Sequence, residues 1–242
     1  MTDGGSPPRS RSTLVESAAQ FAISALRAQA DPEKAAGMQA YMRTEMPFYG
    51  VQKPARTLIL RQLVHDFPPA DHDEYEALVL GLWNLAHREE KYLALAVAQQ
   101  FSSFVDTASL PLYRRLIVEG GWWDFVDEVA THLIRRLVLQ HPNEAWAEVD
   151  TWIDDPDMWL RRSAIICQVG AKDRTDAKRL FSFSAARQNE KEFFIRKAIG
   201  WALRDYARTD PEAVAQFVVE HRAQLSGLSF REATKHIGEL VR

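Results

Sequence analysis

The sequence predicts an all-α protein, an α-solenoid of antiparallel, HEAT-like helix pairs, on three observations. Apolar residues recur every three or four positions almost throughout, strand-like alternation is scarce, and Asp-Pro pairs punctuate the pattern at Asp31-Pro32, Asp155-Pro156 and Asp210-Pro211. Spacings of three and four place side chains on one helix face. Aspartate can cap the free N–H groups of a first turn, and proline at the first helical position loses no hydrogen bond. Residues 1–11, with Gly4-Gly5, Pro7-Pro8 and several serines, read as a flexible tail, and residues 12–242 as one helical-repeat domain.

Along the chain, Leu14, Ala18, Phe21, Ala25 and Leu26 form the first stripe and predict a helix over 12–29. Asp31-Pro32 opens one over 32–45, and Gly50 breaks the chain before one over 54–66. After Pro68-Pro69, Leu78, Leu82 and Leu85 predict 72–86, while Tyr92, Leu95, Ala96 and Gln99 predict 88–104. Helices over 109–118 and 122–139 flank Gly120-Gly121, the second carrying Val126, Val129, Leu133 and Leu137. His141-Pro142, Asp155-Pro156, Gly170 and Asp210-Pro211 then divide helices over 143–153, 156–169, 173–187, 190–207 and 211–223, with a short one near 229–240. Pairs of such helices span about 40 residues, the length of a HEAT unit. A solenoid of this kind curves, and its concave face cradles an extended partner. A compact irregular bundle is the alternative arrangement.

Several classes are made improbable by what the chain lacks. Cys167 is its one cysteine, so there is neither an intrachain disulfide nor a Cys-cluster zinc site, and a reducing cytoplasm is the expected home. No stretch approaches the roughly 18 consecutive apolar residues of a membrane span. Phosphate-loop, dinucleotide, zinc-protease and serine-elbow motifs are missing, and the seven histidines are scattered, so neither metal nor cofactor is expected. The net charge of −3 does not by itself point to nucleic acid. Its distribution is uneven: residues 119–157 hold 10 Asp/Glu and 2 Lys/Arg, whereas residues 158–208 hold 12 Lys/Arg and 5 Asp/Glu. The basic run fits either a polyanion-binding face or ordinary solvated helix surface.

Three segments mix tryptophan with fixed charge: Gly121 to Asp127, Trp159-Leu160-Arg161-Arg162, and Phe193 to Trp201. Trp123 and Asp127 are four apart, one helical turn from each other. An indole beside a persistent carboxylate is a place for a cation, worth up to roughly 2 kcal/mol when desolvated. The plainer reading is a core Trp and a capping Asp. Arg161 and Arg162 point about 100° apart, so they cannot share one role. One can face solvent while the other forks onto a phosphate, and a solvated basic pair is the plainer reading. Phe194, Lys197 and Trp201 form one stripe of two rings and a cation, with Gly200 permitting close helix approach. Core packing of Trp201 is as good a reading on spacing alone.

Together these segments resemble the AlkD-like, HEAT-repeat DNA alkylation repair glycosylases. The resemblance rests on Trp122-Trp123-Asp124-Phe125-Val126-Asp127, on Trp159 through Ile165, and on Phe193 through Ala207. Weaker matches are Tyr41-Met42, Phe48-Tyr49-Gly50-Val51-Gln52-Lys53-Pro54, and Leu228-Ser229-Phe230-Arg231-Glu232-Ala233. It covers residues 35–237 and implies an enzyme that excises positively charged alkylated purines, 3-methyladenine and 7-methylguanine, from double-stranded DNA; a monomer is the expected state. It places Trp123, Asp127 and Trp201 in the catalytic cleft. Arg162 would hold the DNA backbone near the lesion, with Lys197, Tyr41 and Gln52 as further DNA contacts. It also implies contact through backbone and sugar, without a base-flipping pocket. Trp122, Trp159 and Arg161 are better explained as packing or surface. The competing expectation is a non-catalytic HEAT-repeat module that binds damaged or branched DNA.

Overall fold

Aspartate caps open helices where the sequence places them, with one shift. The Asp31 carboxylate accepts from Lys34 N at 3.1 Å ahead of Pro32, and Asp210 accepts from Ala213 N at 2.9 Å ahead of Pro211. At the third Asp-Pro pair the cap moves two residues on. Asp157 accepts from Trp159 N at 2.7 Å, while Asp155 instead accepts from Asp157 N at 2.8 Å. The computed structural model describes residues 11–241, and among these there is no strand. The all-α expectation is met. The expected tail lies outside the described residues except for Arg11, which already belongs to the first helix. No described helix is long and apolar enough to cross a membrane.

The chain divides into two compact units, Met1–Val105 and Asp106–Arg242. The first contains α1 (Arg11–Ala28), α2 (Pro32–Met42), α3 (Lys53–Asp66), α4 (His72–Trp83) and α5 (Arg88–Gln100). Helix α1 packs on α3 and α4, and α5 on α3 and α4. The helix expected to run to 104 ends at Gln100, because Phe101 leaves helical backbone and only a 3₁₀ turn comes after it, at Ser102–Phe104. The charged triplet opening α5, Arg88, Glu89 and Glu90, is buried. The Glu89 carboxyl accepts from Tyr49 N at 3.0 Å, Gly50 N at 2.8 Å and Val51 N at 3.0 Å, and Glu90 accepts from the Tyr49 hydroxyl at 2.8 Å. These bonds hold the loop that leads to Gln52. Gly50 sits at φ +87° with Asp31 O only 2.1 Å from where a Cβ would stand, so no other residue fits the bend.

The second unit contains α6 (Leu110–Gly120), α7 (Trp123–Glu128), α8 (Arg135–Gln140), α9 (Pro142–Trp152), α10 (Met158–Ile166), α11 (Ala177–Arg187), α12 (Phe193–Tyr206), α13 (Pro211–Glu220) and α14 (Gly227–Ala233). A π-helical segment, Val129–Ile134, joins α7 to α8. Helix α10 lies centrally, against α6, α7, α9, α11 and α12, and α12 packs in turn on α14. The three Trp-and-charge segments therefore sit on α7, α10 and α12, which are neighbours through α10.

Removing the Glu89 carboxyl should leave three buried N–H groups without an acceptor, each costing about 1–3 kcal/mol. Glu89→Ala is expected to lose at least about 3 kcal/mol in urea unfolding. A loss within about 0.5 kcal/mol, typical of surface substitutions, would show that the loop is held by something else.

Candidate active site

Gly121, left-handed at φ +49°, ends α6 and turns the chain into α7. Trp122 is extended, Trp123 is the first helical residue, and Asp127 lies one turn later. Beyond Glu128 the helix widens into its π segment. A π turn holds more than the 3.6 residues of an α turn, so the residues beyond Glu128 are rotated about the helix axis. Asp127 is thus free to reach α10 while Val129, Ala130, Leu133 and Ile134 are buried. The Thr131 hydroxyl donates to Asp127 O at 2.7 Å, supplying a partner where the regular ladder is interrupted.

Asp127 is gripped at two points. Arg162 Nε donates to Oδ1 at 2.8 Å and Nη2 to Oδ2 at 2.8 Å. Nη1 donates to Phe194 O at 2.6 Å, and the guanidinium carbon stands 5.9 Å from the Phe194 ring centroid. One arginine therefore ties α7, α10 and α12 together. Burial of two charges costs several kcal/mol per ion, and only a forked, fully bonded geometry such as this recovers it. Burial pushes the Asp127 carboxyl above its ordinary value, Arg162 offsets part of that, and Asp124 and Glu128 raise it further. Its side chain keeps 18% exposure, against 5% for that of Arg162. Each Asp127 oxygen spends one acceptor site on the arginine and retains another.

The expected site residues divide accordingly. Asp127 and Arg162 meet directly. Arg162, expected on the DNA backbone, is first of all the clamp of Asp127, with two of its five N–H bonds left for a further acceptor. Trp123 and Trp201 are half-buried on α7 and α12, and none of the described residues stacks on either ring. Trp122, Trp159 and Phe194 are by contrast consumed in one cluster, with centroid separations of 6.1, 5.5 and 4.9 Å. That cluster seats Phe194 and so the carbonyl that Arg162 holds. Arg161 is likewise structural: it forks onto Glu190 at 3.0 and 3.1 Å and donates to the Asp155 and Pro156 carbonyls. Lys197 is paired with Glu232 at 2.8 Å. Tyr41 and Gln52 belong to the first unit, Tyr41 77% exposed near the end of α2, and Gln52 at the start of α3 without a capping bond from its side chain.

The charge segregation of the sequence resolves into internal pairing. Arg162, Arg179 and Arg187 of the basic run bind Asp127, Asp150 and Asp154 of the acidic one. Lys172, Arg174, Lys178, Lys191 and Arg208 are exposed without an ion pair among the described residues, so the cations available to a polyanion are fewer than the sequence count. A groove of about 570 Å³ in this unit is lined by Trp146, Asp150, Asp176 and Arg179 among others and does not include Asp127. Two contributors were not identifiable from their residue types: the Phe194 carbonyl and Glu232. The Leu228–Ala233 motif marked the second as notable but not what it touches. Arg162→Ala is expected to cost about 3–5 kcal/mol in urea unfolding, because it strands the Asp127 carboxylate. Arg162→Lys, a point donor that cannot fork, should recover only part of that loss.

Comparison with known proteins identifies the family and agrees with the fold. The family model described as DNA alkylation repair enzyme matches residues 22–237. A solved structure described as a predicted DNA alkylation repair enzyme from Enterococcus faecalis is 28% identical and superposes with a TM-score of 0.77, covering 87% of this chain and 97% of that one. No curated protein matches the chain closely. With a family match across nearly all the described residues and a shared fold, the chain belongs to the DNA alkylation repair enzyme family.

Proposed function

We propose that the protein is a DNA glycosylase that hydrolyses the N-glycosidic bond of cationic alkylated purines, 3-methyladenine and 7-methylguanine, in duplex DNA. The observation that carries this reading is the Asp127 carboxylate: part-exposed, oriented at two points by Arg162, and one helical turn from an indole with no stacking partner.

Alkylation of a purine ring nitrogen leaves the base positively charged. When the C1′–N bond breaks, the electron pair goes to the base, which departs neutral, so no strong general acid is required. The sugar is left with oxocarbenium character. A water oxygen then bonds to C1′, and its proton passes to a carboxylate or to solvent. What the protein must supply is preorganised negative charge and electron-rich surface at the sugar. Asp127 is suited to both tasks, stabilising the developing cation and orienting the water through its remaining acceptor sites. Trp123 and Trp201 would offer ring faces to the deoxyribose. Arg162 keeps the carboxylate aimed and has two N–H bonds for the adjoining phosphate. Nothing in this scheme calls for a cofactor. A monomer in the cytoplasm completes the reading, the second in keeping with a lone, buried Cys167.

Mass analysis of bases released from methylated duplex DNA tests the reading directly. The protein should release 7-methylguanine and 3-methyladenine. Asp127→Asn should slow release by about 100- to 10,000-fold while retaining DNA binding. No release by the unaltered protein would favour a non-catalytic DNA-binding module. The pH profile should show an acid limb, since excision needs the Asp127 carboxylate. Because its folded-state pKa is raised above 3.8, activity should fall, as pH drops, at a midpoint above that value. An acid limb below 3.8 would show that another group carries the charge.

A further inference from the structure

Helix α12 carries Lys197, Trp201 and Arg204 at spacings of four and three, on one stripe. Glu232 of α14 reaches across this stripe. Its carboxylate accepts from Lys197 Nζ at 2.8 Å and from the Arg204 guanidinium. Gly200 makes this reach possible: a Cβ there would stand 2.5 Å from Glu232 Cβ and 3.0 Å from Ser229 O. The Ser229 hydroxyl donates in turn to Arg196 O at 3.0 Å. Helix α14 is thus seated backbone-close on α12, directly beside Trp201 in sequence, and delivers one carboxylate between the two cations that flank that tryptophan along the helix. Lys197 holds the Glu232 carboxyl below its ordinary value.

Two cations and one carboxylate leave the stripe one net positive charge. Cations attract DNA phosphate, but they also repel a positively charged base and a sugar becoming an oxocarbenium ion. We propose that Glu232 is a positioning residue that restrains Lys197 and Arg204, the cations flanking Trp201 on α12, and limits the positive charge beside the reacting sugar, so that phosphate attraction does not cost catalysis on cationic substrates. This inference rests on the glycosylase reading above.

The proposal predicts effects of opposite sign on binding and turnover, which loss of packing would not produce. Glu232→Gln keeps the side-chain shape and frees both cations. It should bind undamaged duplex more tightly with a steeper salt dependence, yet release 7-methylguanine about tenfold more slowly in single turnover. Glu232→Gln/Arg204→Gln restores the original net charge and should recover both properties to within about threefold. Arg204→Gln alone leaves Glu232 facing one cation and should bind more weakly while releasing base at least as fast, which keeps the test open if Glu232→Gln fails to fold. Thermal unfolding of each variant accompanies the assays. Glu232→Gln that folds and matches the unaltered protein in release rate and salt slope overturns the inference while leaving the glycosylase reading intact. So does a double variant as slow as Glu232→Gln, or an Arg204→Gln variant that loses binding and turnover together. No release of methylated base by the unaltered protein overturns both.

Discussion

Asp127 and Arg162 have left most of their water, and the second unit is organised around making that tolerable. A carboxylate and a guanidinium stripped of solvent cost several kcal/mol each unless every close partner is well placed. Here the guanidinium forks onto the carboxylate, spends a third N–H on the Phe194 carbonyl, and lies near the Phe194 ring. Phe194 is itself fixed by Trp122 and Trp159. The π segment after Glu128 presents Asp127 to α10 without sacrificing the apolar burial of its own residues. The arrangement is costly for stability and informative for that reason: buried polar constellations with perturbed carboxylates concentrate at functional sites.

The same pair explains how one carboxylate could serve a cationic transition state. Bidentate contact fixes its orientation in advance, so little reorganisation is left for the moment of bond cleavage. Partial burial lowers the local dielectric and strengthens its pull on positive charge. Glu232 repeats the idea at lower cost against α12, where a single carboxylate pairs with two cations. Charge in this unit is thus mostly internal architecture, and the exposed cations that remain are the ones open to a DNA backbone.

How much of this was legible in the sequence depended on whether the signal was local. Helix existence was legible because three-and-four periodicity and the Asp31 and Asp210 caps are short-range features. The interruption at Phe101 and the π segment were not, since both answer tertiary packing that no local spacing encodes. Trp123, Asp127, Arg162 and Trp201 stood out as a set by family resemblance. Their division of labour did not: Arg162, a guanidinium suited to phosphate, is committed to Asp127, a partner 35 positions away. The burial of Glu89 and Glu90 was not legible for the same reason, because their donors include groups of a loop around Tyr49. Glu232 sat in a recognisable motif, and only the close approach at Gly200 reveals what it holds.

The central claim is that this site senses positive charge at the reacting sugar and base. Single-turnover release of 7-methylguanine and of hypoxanthine, measured on duplexes otherwise identical in sequence, tests it most directly. The two lesions are similar purines that differ in formal charge. Rapid release of 7-methylguanine with hypoxanthine slower by at least about a hundredfold, the scale of one unit charge stabilised in a site of low dielectric, is the predicted result. Equal rates for the two would contradict it.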